Sequence, residues 1–186
     1  MTPRTISCVI FPQVTTLDLI GPFTVLQHLP PPFQAQIVAE ELAPSPTDGG
    51  FAIQPHATFA DVPAPAVLLV PGGPGTLPAI ANPVIDGYIR QVAPQAEIVA
   101  SVCTGSLSLA AAGLLDGRRA TTHWAYAEEL ERLGATYVRQ RWVEDDKYIT
   151  AAGVSAGIDM GIALAARLGN EVMAKLIQLG IEYDPE

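Results

Sequence analysis

One stretch limits the possible folds more than any other. Ile98-Val99-Ala100-Ser101-Val102 is an apolar, β-branched run that stops at Cys103 and passes at once into Thr104-Gly105-Ser106. Such a run fits a buried parallel strand, and residues 104–115, rich in Ala, Leu and Ser, fit the helix after it. Cys103 then stands on the tight turn between them, as the nucleophile does in an elbow. The strained turn of an elbow admits only small residues two before and two after the nucleophile, and Ser101 and Gly105 meet that demand. The sulfur of such a cysteine lies over the N-terminus of the following helix, whose unpaired N–H groups and positive dipole end favour thiolate over thiol. A buried core cysteine is the alternative. The coincidence of strand, turn and helix favours the reactive one.

Strand-like and helical patterns alternate along the rest of the chain, which predicts a mostly parallel sheet with helices on both faces. Strands are expected at residues 5–11, 34–39, 66–70 and 120–122, with 137–143 and 147–150 paired across the acidic turn Glu144-Asp145-Asp146. Helices are expected at 16–28, ended by Pro30-Pro31-Pro32, and at 83–92, 124–133, 156–168 and 171–180. Residues 44–50 read as a turn-rich connector and 51–59 as a short exposed hairpin.

Open sheets of this kind bind ligands beyond the carboxyl ends of their strands. The first strand leads there to Asp18, the strand at 66–70 to Pro71-Gly72-Gly73-Pro74-Gly75, and the elbow strand to Cys103. Asp18 is either a helix-capping acid or a buried carboxyl that exchanges protons beside Cys103. Gly72 and Gly73 form either a plain turn or a backbone cradle for an anion or oxyanion. No Walker lysine follows them, and they do not match the dinucleotide fingerprint. Of the three histidines, only His123 follows a strand on this edge. It reads first as a structural residue, with a Cys-His-Asp triad through Asp159 as the alternative.

Length and charge narrow the classes. At 186 residues the chain is long enough for one domain, 1–186, with a core that needs no metal or disulfide. Cys8 and Cys103 lie far apart in different predicted strands and match no zinc spacing. The formal net charge of −9 argues against a nucleic-acid surface. No stretch has the length and apolarity of a membrane span, so a soluble cytoplasmic protein is expected.

Together Leu17-Asp18-Leu19-Ile20-Gly21-Pro22, Val70-Pro71-Gly72-Gly73, Ser101-Val102-Cys103-Thr104-Gly105 and the run from Ala112 through Gly113-Leu114-Leu115-Asp116-Gly117 to Thr121-Thr122-His123-Trp124 resemble the DJ-1/PfpI superfamily over nearly the whole chain. Within it the resemblance is to the isonitrile-hydrating members, and it is shared in part by the amidase-like domains of AraC-type regulators. It implies a flavodoxin-like three-layer α/β sandwich, a homodimer, and no metal or organic cofactor. It also implies hydration of an isonitrile to a formamide. In that chemistry Cys103 is the nucleophile and Asp18 the general acid and base, Thr104 orients the acid or the water, and the backbone near Gly73 and Thr104 steadies charge. The protease-like members carry histidine after the cysteine. Thr104 here removes that base, so peptidase activity is not expected. DJ-1-type members usually carry Glu where this chain has the shorter Asp18. Two competing readings are a redox sensor whose Cys103 is reversibly oxidised and a small-molecule sensing module without turnover.

Overall fold

The computed structural model describes residues 3–184. β1 (Arg4–Val9) feeds α1 (Thr16–Leu26), followed by β2 (Phe33–Ala39), β3 (Ser45–Pro46), β4 (Ala52–Ile53) and β5 (Ala57–Thr58). β6 (Val67–Val70) leads to α2 (Thr76–Ala81) and α3 (Pro83–Val92), and β7 (Ile98–Val102) leads to α4 (Gly105–Ala111). After β8 (Arg119–Ala120) come α5 (Ala127–Arg132), β9 (Thr136–Tyr137), β10 (Trp142–Asp145), β11 (Tyr148–Ala151), α6 (Ala156–Leu168) and α7 (Glu171–Gly180).

The main sheet runs β10-β11-β7-β6-β1-β2-β5, parallel throughout except where β10 meets β11. β6 and β7 are buried at every position, as Val/Leu/Ile runs must be when helices cover both faces. The expected α/β architecture is the one observed. Register aligns Cys8 with Leu69 and Val70 with Ser101, so β1, β6 and β7 end along one edge. The three loops expected to meet do leave from that edge. α1 packs closely on α6, and Gly157 makes the approach possible: a Cβ there would lie 3.2 Å from both Pro22 and Val102. The start of α1 is thereby drawn over the end of β7.

Several boundaries differ from those read in the sequence. The expected hairpin at 51–59 does not form. β4 instead pairs antiparallel with β3, and β5 joins the main sheet beside β2. The turn lies within the presumed connector, where the Thr47 hydroxyl donates to Phe51 O at 2.9 Å and Gly50 takes φ +80°. The strand expected at 120–122 is shifted to β8, which pairs with β9 outside the main sheet. Thr121 and Thr122 leave it for other partners. β10 therefore begins only at Trp142, and its turn to β11 is closed by Asp146 at φ +60°. The helix expected at 124–133 starts as a 3₁₀ turn, Trp124–Tyr126, before α5. α2 was concealed by Pro78, which falls in its first turn, where a missing N–H costs nothing.

Candidate active site

Cys103 occupies the corner between β7 and α4 at φ +57°, a left-handed conformation uncommon for a residue with a side chain. Its N–H is held by Ala151 O and Ala152 O at 3.1 and 2.9 Å, which fixes the corner to the end of β11. The backbone N–H groups of Thr104 and Val154 lie against its sulfur and favour its charged form. Val154, at φ +42°, is a β-branched residue in the same unfavourable region. Two strained residues thus meet at one sulfur atom, a concentration of strain typical of functional sites.

Asp18 lies in the first turn of α1, and the cap position belongs to Thr15. The carboxyl is therefore not a capping group. It is fully buried, with Oδ2 accepting the Gly72 N–H at 3.2 Å and Oδ1 lacking any regular hydrogen-bond partner among the described residues. The Cys103 thiol stands beside it. Burial pushes the Asp18 carboxyl up to about 7, against the smaller downward pull of Cys103 and the Gly72 N–H. Burial pushes the Cys103 thiol up to about 12, aided by the Asp18 charge and opposed by the Thr104 and Val154 N–H groups.

That pair corrects the expectation of a resting thiolate. The N-terminus of α4 does supply a donor, but Cys103 is only 7% exposed and its sulfur lies beside the Asp18 carboxyl, so desolvation and like charge outweigh the dipole.

Gly72 and Gly73 prove to be positioning elements. A Cβ on Gly72 would lie 2.5 Å from both the backbone N and Oγ1 of Thr104, so only glycine fits. The Gly72 N–H is committed to Asp18, and the Gly73 N–H donates to Thr104 Oγ1 at 2.9 Å. Neither remains free as an oxyanion donor. Thr104 Oγ1 also bonds Thr76 Oγ1 at 2.8 Å, so this hydroxyl braces the glycine loop instead of facing the acid. The chemically directed group of Thr104 is its backbone N–H.

His123 makes no hydrogen bond to Cys103 or Asp18 among the described residues. Its Nδ1 accepts the Ala125 N–H at 3.3 Å, and its ring lies flush with Gly153, where a Cβ would come within 2.6 Å of Cδ2. It therefore packs against the backbone segment that carries the Val154 N–H. Asp159 pairs with Arg141 and accepts the Tyr183 hydroxyl at 2.9 Å. The considered triad of Cys103, His123 and Asp159 is not assembled. No group of three or more His, Cys, Asp or Glu side chains among the described residues has the arrangement of a metal site. No helix among them is long and apolar enough to cross a membrane.

Sequence reasoning missed Val154 and Thr122. Val154 acts through its backbone, so no side-chain signal existed. Thr122 donates its hydroxyl to Cys103 O at 2.8 Å, and the signal was present as two consecutive threonines directly after the short strand that ends at Ala120.

With this geometry in view, comparison with known proteins is informative. Residues 4–167 match the model of the DJ-1/PfpI family. The chain is 46% identical to isonitrile hydratase of Pseudomonas putida over 180 residues, covering 97% of this chain and 78% of that one. It is 29% identical to the HTH-type transcriptional regulator CdhR of Pseudomonas aeruginosa, over 73% of this chain and 40% of the regulator. A solved ThiJ/PfpI family protein from Pseudomonas syringae superimposes with a TM-score of 0.95 at 39% identity, over all of this chain and 77% of that one. Schizosaccharomyces pombe DJ-1 gives a TM-score of 0.83 at 14% identity, over 98% of this chain and all of DJ-1, a likeness of fold alone.

Proposed function

The chain belongs to the DJ-1/PfpI family, and from that premise we propose that it is a hydro-lyase that adds water to an isonitrile, R–N≡C, giving the N-substituted formamide. One observation carries the reading: a buried carboxyl with an unengaged oxygen stands against a cysteine sulfur whose other neighbours are backbone N–H donors. The terminal carbon of an isonitrile requires a nucleophile and a proton at the same atom. A thiol and an acid in one dry place supply both. Similarity to the P. putida hydratase over 97% of the chain supports the choice of substrate class.

The steps follow from the proton positions. Asp18 Oδ1 takes the thiol proton as sulfur bonds to the isocyano carbon, then returns that proton to the carbon, leaving the thioimidate R–N=CH–S–Cys103. Water next adds to the carbon while its proton passes through Asp18 to nitrogen. The resulting adduct bears hydroxyl, sulfur and NHR on one carbon. Asp18 removes the hydroxyl proton, the C=O forms, the C–S bond breaks, and the proton is delivered to the departing sulfur. The Thr104 and Val154 N–H groups steady sulfur whenever it carries negative charge. The sum is R–N≡C plus H₂O to R–NH–CHO.

The proposal extends to a homodimer in the cytoplasm that uses a small-molecule isonitrile and no cofactor. Val172, Leu176 and Leu179 on α7 are 57–74% exposed and would suit burial against a second copy, so sedimentation of the purified protein should give twice the chain mass. The activity itself is tested by incubating the protein with alkyl and aryl isonitriles and assaying the formamide by liquid chromatography. Formation by the native chain and loss in Cys103→Ala is the expected result. No formamide from isonitriles of several sizes removes the reading.

A further inference from the structure

Thr121 and Thr122, two of the consecutive polar residues after β8, have no assigned part in this chemistry although both are fully buried. Their backbone is anchored from two sides. Ser106 Oγ of α4 donates to Thr121 O at 2.7 Å and is joined to Ser101 Oγ at 2.8 Å, while the Thr121 N–H donates to Thr150 Oγ1 of β11 at 2.8 Å. From this fixed backbone the Thr122 hydroxyl reaches Cys103 O at 2.8 Å. The other donor to that oxygen, Ser106 N–H, is distant at 3.4 Å.

The carbonyl of Cys103 and the N–H of Thr104 belong to one peptide unit. That unit is planar and rigid, with C=O and N–H pointing in opposite directions, so holding one end aims the other. The N–H end is directed at the sulfur. Cys103 is already in a sparsely populated backbone region, where the peptide plane is not held by secondary-structure preference and must be held by partners. A β-branched threonine with a restricted χ1 is a stiff hook for this purpose.

We infer that Thr122 is a positioning residue: by gripping the Cys103 carbonyl, its hydroxyl sets the plane of the Cys103–Thr104 peptide and so aims the Thr104 N–H at the nucleophilic sulfur. The effect on turnover rests on the hydratase reading. The effect on the thiol does not, and the thiol is therefore what the experiment reads.

The rate of Cys103 alkylation by iodoacetamide is measured against pH in the full-length protein, with peptide mass spectrometry separating Cys103 from Cys8. Thr122→Val, which keeps the shape and removes the hydroxyl, slows alkylation about tenfold at fixed pH and moves the midpoint of the curve upward, because a charge-assisted donor to sulfur is misaligned. Thr122→Ser restores the wild-type curve. Thr121→Val loses the neighbouring hydroxyl's part-buried contact, to Gln140 O at 3.2 Å, and leaves the curve unmoved because it does not touch the elbow peptide. A wild-type curve in Thr122→Val, or equal slowing in Thr121→Val, overturns the inference. If Thr122→Val does not fold, Thr122→Ala, which also lacks the hydroxyl, takes its place: a wild-type curve overturns the inference, and a slowing that Thr122→Ser does not share upholds it. With isonitrile as substrate, Thr122→Val lowers kcat and leaves KM nearly unchanged. Absence of turnover in every variant, wild type included, removes the hydratase reading and leaves the alkylation result standing.

Discussion

Replacing Asp18 by Asn tests the site through stability as well as rate. The buried carboxyl is held at about 7, against an ordinary value of 3.8, because desolvation outweighs the hydrogen bonds it accepts. The folded protein therefore binds this proton more tightly than the unfolded chain does. The contribution to stability is fully present below pH 3.8 and is lost as pH rises through about 7. The rise from 3.8 to about 7 amounts to about 4 kcal/mol, at about 1.4 kcal/mol for each tenfold change in proton affinity. Asparagine is neutral throughout and keeps an oxygen for the Gly72 N–H. Subtracting wild-type from Asp18→Asn stability cancels the titrating groups that are not coupled to Asp18 and leaves chiefly the carboxyl.

The stability difference, measured by urea unfolding, should grow in favour of Asp18→Asn by about 4 kcal/mol between pH 4 and pH 8. A difference independent of pH would refute the burial argument. Turnover should move the opposite way, falling by about two to four orders of magnitude, since the amide cannot carry the proton. The Cys103 thiol should meanwhile become more acidic, because the charge of Asp18 raises the sulfur's affinity for its proton. A more stable protein with a more acidic thiol and little activity is the combined signature. A capping role for Asp18 predicts none of the three, since Asn caps a helix about as well as Asp.

Three further substitutions bear on the same geometry. Cys8→Ser, in the buried middle of β1, should retain turnover and lose about 1–3 kcal/mol of unfolding free energy from a hydroxyl placed among apolar neighbours. Gly72→Ala should abolish formamide production and cost about 1–3 kcal/mol in thermal unfolding, because the added methyl meets Thr104 at 2.5 Å. Asp159→Asn should keep near-native kcat, since its partners are Arg141 and Tyr183; a large fall in kcat would revive the triad.

The sheet and its edge were legible because apolar runs on β6 and β7 are buried on both faces and leave little ambiguity of type. The elbow was legible because small residues flank Cys103 for a steric reason that any sequence must obey. The segment at 44–59 was not, since its strands are two residues long and are fixed by pairing partners instead of by periodicity. At the site, the residues were found more readily than their roles. Gly72, Gly73 and Thr104 do converge with Asp18, yet which N–H or hydroxyl faces the reacting atoms depends on angles that composition does not carry. Thr104 is the clear case: its hydroxyl drew the attention, and its backbone N–H reaches the sulfur. Val154 lay beyond reading for the same reason.

The proton state of Cys103 also separates the hydratase reading from a redox sensor. Peroxide reacts with thiolate, and sensor cysteines are therefore exposed and of low pKa. Cys103 is neither: burial and the Asp18 charge hold its thiol near 12, and little of it meets solvent. Burial and the Asp18 charge both disfavour the thiolate that an oxidant would attack. An isonitrile presents a different demand, for its carbon must gain a proton as it gains the sulfur, and the proton that leaves sulfur is the one the carbon needs. The same burial that makes Cys103 a poor peroxide sensor keeps this proton between sulfur, Asp18 and substrate instead of releasing it to water. A high thiol pKa beside a carboxyl near 7 is thus the arrangement suited to addition across one carbon atom, with Asp18 ionised enough to accept the proton and acidic enough to return it.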